Sequence, residues 1–213
     1  ERLTTPLSFS PTRQSEDAAA TAEEIPRLPN PPTTLIGREQ ELNHLCRRVL
    51  GHQGRLLTLV GPPGIGKTRL AMALASQVQP HYRDGILFVP LAAISDAPTM
   101  ATAILAARYS NAASRKLPQI RLIEVLRRKS LLLVLDNFEQ LLAPALADEA
   151  VRLVATVLAE CPGVIVLTTS RERLHLRSEQ CYKVPPLALT AAVDLFVQRA
   201  QAVNGEFHLT AQN

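Results

Sequence analysis

Tryptophan is absent from the chain, and Phe and Tyr together hold the aromatic fraction at 4%. So few planar side chains leave no platform on which bases could stack. No Lys/Arg cluster interleaved with aromatics is present either, which argues against direct nucleic-acid binding by this segment. Charge is nearly balanced: 23 Lys and Arg against 19 Asp and Glu leave a formal net charge of +4, too small an excess to draw in a polyanion. The three cysteines, Cys46, Cys161 and Cys181, stand far apart without C-x-x-C spacing. That pattern favours reduced, structural thiols over a disulfide frame or a zinc-ligand set. Long apolar runs are missing too. Leu131–Leu135 is among the longest, far short of the roughly 20 residues that a membrane-spanning helix needs. The N-terminus lacks the basic-then-apolar layout of a signal peptide, so the expected setting is cytoplasmic, with no membrane partner.

What is present is 46% hydrophobic residues in a chain of 213, enough for a sizeable core. Residues 1–32 stand apart, with Pro6, Pro11, Pro26, Pro29, Pro31 and Pro32 among many Ser and Thr and no sustained periodicity. They read as a flexible linker or tail, with a short helix around Ser15–Glu24 as the alternative. A start at Glu1 rather than Met suggests a linker once joined to something upstream. From Leu35 onward, short apolar runs alternate with helical patterns. Strands are expected at 55–60, 85–90, 131–136, 164–170 and 181–184. Helices are expected at about Arg38–Leu50, Lys67–Val78, Pro98–Ala107, Pro118–Lys129, Pro144–Ala159 and Thr190–Val203. All but the last strand are almost continuously apolar, as strands covered on both faces must be. Such alternation marks an α/β fold around a parallel sheet.

The stretch Gly61-Pro62-Pro63-Gly64-Ile65-Gly66-Lys67-Thr68 follows an apolar strand and opens an amphipathic helix. Gly61, Gly64 and Gly66 permit positive φ and present no Cβ, so consecutive main-chain N–H groups can turn toward one anion. The helix beginning near Lys67 aims its positive end at the same point. Lys67 adds a full charge for β- and γ-phosphate oxygens, the Thr68 hydroxyl can ligate Mg²⁺, and Arg69 follows within reach. This is a nucleotide-binding loop of the Walker A type.

Two further strand ends belong with it. Asp136 ends the strand "LLLVLD", where a carboxylate emerging from the core can hold Mg²⁺. The strand "VIVLTTS" runs into Arg171, which reaches the γ-phosphate region if its strand lies beside that of the phosphate loop; otherwise it is a surface charge near Glu172. Asn137 follows Asp136. An amide cannot accept a proton from attacking water, though it can orient that water or sense phosphate through hydrogen bonds. The segment "FEQLL" is expected to begin a helix, on which Glu139 either reaches in as the base or faces solvent.

With these elements in order, the chain resembles the STAND class of P-loop ATPases, related to NB-ARC and AAA+ domains and found in LuxR-type and antibiotic-regulator-like bacterial regulators. The stretches "LIGREQEL" (35–42), "LVGPPGIGKTRLA" (59–71), "LLLVLDNFEQLL" (131–142), "VIVLTTSRERL" (164–174) and "YKVPPLAL" (182–189) carry the likeness. The resemblance implies a P-loop NTPase three-layer sandwich whose parallel sheet has about five strands in the order 5-1-4-3-2. It implies that Ile36, Gly37 and Arg38 lie against adenine and ribose, where the residues alone suggest a helix start with a solvated charge pair. It implies a P-loop NTPase domain over 33–186, and over 187–213 the start of a helical lid whose remainder lies beyond this chain.

The function implied is an ATP-binding, slowly hydrolysing switch core of a multidomain signalling or transcription regulator, using ATP/ADP and Mg²⁺. Its partners would be other domains of a larger parent protein, with nucleotide-dependent self-association as a further possibility. The alternatives are an active AAA+-type motor or loader of the origin-recognition kind, and a scaffold that does not hydrolyse.

Overall fold

A computed structural model describes residues 35–51, 54–108, 116–143 and 147–210. The expected linker at 1–32 lies outside these residues. In chain order the elements are α1 (Glu39–Leu50), β1 (Leu56–Val60), α2 (Lys67–Val78), β2 (Ile86–Pro90), α3 (Ala97–Ala106), α4 (Pro118–Leu126), β3 (Leu131–Asp136), α5 (Ala147–Glu160), β4 (Val164–Ser170), β5 (Glu179–Lys183) and α6 (Leu189–Val203). The strands form one sheet in the order β2-β3-β4-β1-β5, with every pairing parallel. Read from its other edge, that is the expected 5-1-4-3-2.

The strand alternation sorts the core into two halves. Leu131, Leu133 and Leu135 of β3, with Val164 and Val166 of β4, pack beneath α3, α4 and α5. Leu132 and Val134, with Ile165 and Leu167, face α1 and α2. Successive side chains on a strand point to opposite faces, so a strand covered on both sides has to be apolar at every position. Leu70, Leu74 and Val78, which recur every four residues along α2, are fully buried, each contributing about 1.5–3 kcal/mol relative to exposure. A buried polar link joins two central strands: Thr168 of β4 donates its hydroxyl to Thr58 on β1 at 2.9 Å, both fully buried.

The thiols of Cys46, Cys161 and Cys181 are unpaired by disulfide. Burial pushes all three above their ordinary pKa, as expected of packing residues rather than nucleophiles.

Three expected boundaries shift for physical reasons. The edge strand β5 begins at Glu179, earlier than its apolar residues suggest, because main-chain pairing runs the full length of β1 from Leu56↔Glu179 to Val60↔Lys183. Backbone pairing is indifferent to side-chain polarity on a half-exposed edge. The segment "FEQL" is a short 3-10 turn, Phe138–Leu141, rather than the start of an α-helix. It follows Asn137 at φ 62°, ψ 47°, a left-handed conformation that asparagine tolerates better than most residues. Helix α4 stops at Leu126 rather than Lys129, where Lys129 N–H closes a tight turn on Leu126 O.

Helix α6 touches the body at a narrow point. Among the described residues of α6 only Ala191 is buried. It sits against Gly37, which has φ +62° and whose hypothetical Cβ would lie 2.2 Å from Ala191 Cβ. Both the backbone angle and the space demand glycine here. Gly37→Ala is therefore expected to undock α6: amide exchange over 189–203 rises by an order of magnitude or more while the sheet amides keep their protection. Unchanged exchange in α6 would show that this contact does not hold the helix.

Candidate functional site

The site lies at the carboxyl ends of β1, β4 and β3, which the sheet order makes neighbours. Strand β1 delivers the chain to Gly61, whose N–H donates to Ser170 O at the end of β4 at 3.3 Å. Gly64 and Gly66 hold φ +76° and +97°, and a Cβ built on either would meet nothing within 4 Å. Space is therefore open beside both glycines. Gly66 then caps α2, with the first helical residue at Lys67. Ile65 N–H donates to Pro62 O at 3.4 Å and Leu70 N–H to Gly66 O at 3.0 Å, and the positive end of α2 begins directly after the glycine loop.

Lys67 is 93% buried, 7% of it remaining exposed. Its ammonium donates to Gly61 O at 2.8 Å and Pro62 O at 3.1 Å. Among the described residues no carboxylate pairs with it. A buried cation held only by carbonyls is costly unless an anion completes its shell, and the cradle beside it is shaped for one. Pro62 and Pro63 lie exposed on the outside of the loop. Ile65, half-buried, packs on the core at α1 and α2. Arg69 is half-buried in the first turn of α2.

Asp136 is 5% exposed at the tip of β3. Its Oδ1 accepts two hydroxyl hydrogens, from Thr68 at 2.8 Å and from Thr169 at 2.6 Å. The phosphate loop and the β3 carboxylate are thus in direct contact. Thr68 and Asp136 form an all-oxygen donor set, which suits Mg²⁺. Among the described residues no group of three or more His, Cys, Asp or Glu gathers into a metal cage. Two protein oxygens leave the remaining positions around such an ion to phosphate oxygens and water. The residues present therefore fit the group.

Sequence reasoning missed Thr169. Its hydroxyl donates to Asp136 and accepts from Asn137 N–H at 3.0 Å, so it pins both the carboxylate and the left-handed residue after it. The register Leu135↔Thr168 places Thr169 beside Asp136, but that register is visible only once β4 is known to pair with β3. At Asn137 it is the main-chain N–H that is used.

Arg38 departs from the solvated charge pair that its own residues suggest. It is 4% exposed, paired through Nη1 with Glu41 at 3.0 Å, and donates from Nη2 to Ile65 O at 3.2 Å. It braces α1 against the phosphate loop. Ile36 and Gly37 lie half-buried just before it. Glu139 does not face solvent: it is 12% exposed and its Oε1 accepts from Arg171 Nε at 3.2 Å. Arg171 leaves β4 next to Gly61, as expected, but its partner here is that carboxylate. Arg173 is exposed.

Residues 34–173 match the family model of the AAA ATPase domain. The chain is 36% identical over 180 residues to an uncharacterized protein of Mycobacterium tuberculosis, covering 84% of this chain and 44% of that protein. It is 38% identical over 171 residues to a second M. tuberculosis protein, whose name assigns it provisionally to the HTH-type transcriptional regulators, covering 78% of this chain and 18% of the relative. The chain thus spans less than half the length of these curated relatives. Among solved structures it is similar to the Orc1 protein of Aeropyrum pernix in complex with DNA, at TM-score 0.58 and 23% identity over 80% of this chain and 51% of that one. It is also similar to a Walker-type ATPase of Pyrococcus abyssi, at TM-score 0.56 and 14% identity over 82% and 60%. These two likenesses concern the fold alone. Among the described residues no helix is long and apolar enough to cross a membrane.

Proposed function

The chain belongs to the AAA ATPase domain family, and from that premise we propose that it is the ATP-binding, slowly hydrolysing switch core of a multidomain regulator of the STAND type. The observation that carries this reading is the buried Lys67 ammonium, held only by carbonyls at the edge of an open glycine cradle. A polyphosphate tail supplies what that arrangement lacks.

In this reading the loop N–H groups and Lys67 bind the β- and γ-phosphates. Thr68 and Asp136 would hold Mg²⁺, which when bound supplies charge stabilisation on the phosphate oxygens. Thr169 keeps Asp136 turned toward the loop. Water attacks the γ-phosphorus in line with the leaving ADP oxygen. Asn137, the residue after Asp136, cannot take the proton from that water, so turnover is slow. Arg38 places α1 and the residues at 36–37 beside the loop, where adenine and ribose would lie. The relative named as an HTH-type transcriptional regulator supports a regulatory parent.

Helix α6, anchored at Gly37 next to the site, would pass the nucleotide state to downstream domains. Leu189, Phe196 and Val203, one heptad apart and 81%, 55% and 92% exposed, give it an apolar stripe for such domains or for another copy. A shift in α6 position between ATP and ADP states then biases the assembly.

The test is calorimetric titration with Mg²⁺-ATP together with a steady-state phosphate-release assay. Expected are saturable, magnesium-dependent binding and turnover well below about 1 s⁻¹. Faster turnover would replace the switch by a motor, and no binding at millimolar nucleotide would leave a scaffold.

A further inference from the structure

Glu139 and Arg171 are the pair in the site that the proposed function uses least. Arg171 follows Ser170, whose carbonyl accepts from Gly61 N–H, so it stands at the root of the phosphate loop. Glu139 lies three residues past Asp136, and the two segments are tied together by Thr169. The ion pair therefore spans the mouth between the β3 and β4 ends. It is asymmetric. Glu139 is 12% exposed and Arg171 58%. Arg171 is bonded through Nε alone among the described residues, leaving its Nη fork for a second anion. On the acid, Oε2 is buried with no hydrogen-bond partner among the described residues, an acceptor left without a donor.

On the reading of this site as a nucleotide site, we propose that Glu139 is a specificity-determining residue that competes with the γ-phosphate for Arg171, and so sets the preference between nucleoside triphosphate and diphosphate. A guanidinium fork matches phosphate oxygens at least as well as a carboxylate. With a diphosphate bound, nothing near the mouth rivals Glu139 and the pair stays closed. With a triphosphate bound, the terminal phosphate draws Arg171 away, and the carboxylate loses its only donor. Breaking the pair is then subtracted from triphosphate affinity and from nothing else. The ion pair acts as a threshold, so that the protein does not commit to its triphosphate state at low ATP.

The effect should be modest, because one partner is largely exposed. An ion pair of that kind corresponds to about two- to five-fold in an equilibrium constant. The experiment is calorimetric titration of Mg²⁺-ATP and Mg²⁺-ADP into the wild type, Glu139→Gln, Arg171→Ala and the double variant, a double-mutant cycle on the ratio of the two dissociation constants. Glu139→Gln should tighten ATP about two- to five-fold and leave ADP unchanged. Glu139→Asp, too short to keep the contact, should shift the ratio in the same direction, which covers the case of a Gln variant that folds poorly. In the Arg171→Ala background, Glu139→Gln should change neither affinity.

An unchanged ratio in both Glu139 variants, equal shifts for ATP and ADP, or an effect that persists without Arg171 would each overturn the proposal. A role of Glu139 as base alone predicts loss of turnover with no movement of the ratio. Lys67→Ala separates the levels. If it loses both nucleotides while the ratio test fails, only this inference falls. If it binds both as the wild type does, the nucleotide site itself is wrong.

Discussion

Replacing Lys67 by alanine should weaken Mg²⁺-ATP binding about 10- to 150-fold while the protein stays folded. The ammonium is a full positive charge buried at the phosphate loop; unlike Arg38, which pairs with Glu41, its partners among the described residues are the carbonyls Gly61 O and Pro62 O. A hydrogen bond to a charged group is worth about 1.5–3 kcal/mol, and each 1.4 kcal/mol is about tenfold in affinity. The fold should survive because no carboxylate is left unpaired by the change, and the two carbonyls lie beside the open cradle where water can reach them. Titration calorimetry measures the affinity, and far-ultraviolet circular dichroism reports the fold. Equal affinity in the two proteins would mean that the loop is not where the nucleotide binds.

The largest stability effect is expected at Phe138. Its ring is fully buried, in the core half that also holds Leu135, Leu141, Ala150 and Leu174. Phe138→Ala should cost about 3–5 kcal/mol, the sum of lost transfer free energy and the cavity left behind. A urea unfolding curve should show a lower midpoint with an unchanged slope. The same ring lies between Asn137 and Glu139 in sequence and anchors the 3-10 turn that carries the acid. Its loss should therefore also relax the ratio of ATP to ADP affinity toward that of the Glu139 variants. A drop below about 1 kcal/mol would mean that the turn can repack without the ring, and that Glu139 is held by Arg171 alone.

How much of this was legible beforehand depended on range. The phosphate loop was, because its chemistry is local: Gly61, Gly64, Gly66, Lys67 and Thr68 act through the backbone they themselves shape. Asp136 was legible for a similar reason, as a lone charge at the end of a buried strand. The two-faced burial of β1, β3 and β4 could be read from their unbroken apolar runs, and with it the three-layer arrangement. Arg38 was misjudged from its own residues, since only the close approach of α1 to Ile65 turns a surface charge into a buried brace.

By itself, then, the chain determined where the glycine loop turns into a helix, which strands are covered on both sides and which residue types stand at their ends. Local dihedral preference and apolar periodicity need no knowledge of distant neighbours. What the tertiary structure decided is pairwise. The placing of β4 between β1 and β3 brings Thr169 onto Asp136. The 3-10 turn brings Glu139 to Arg171 instead of to solvent, and Ala191 seats α6 on Gly37. Each of these is a contact between residues 30 or more positions apart, whose partner no propensity or spacing can specify until the sheet order has fixed which strand ends are neighbours.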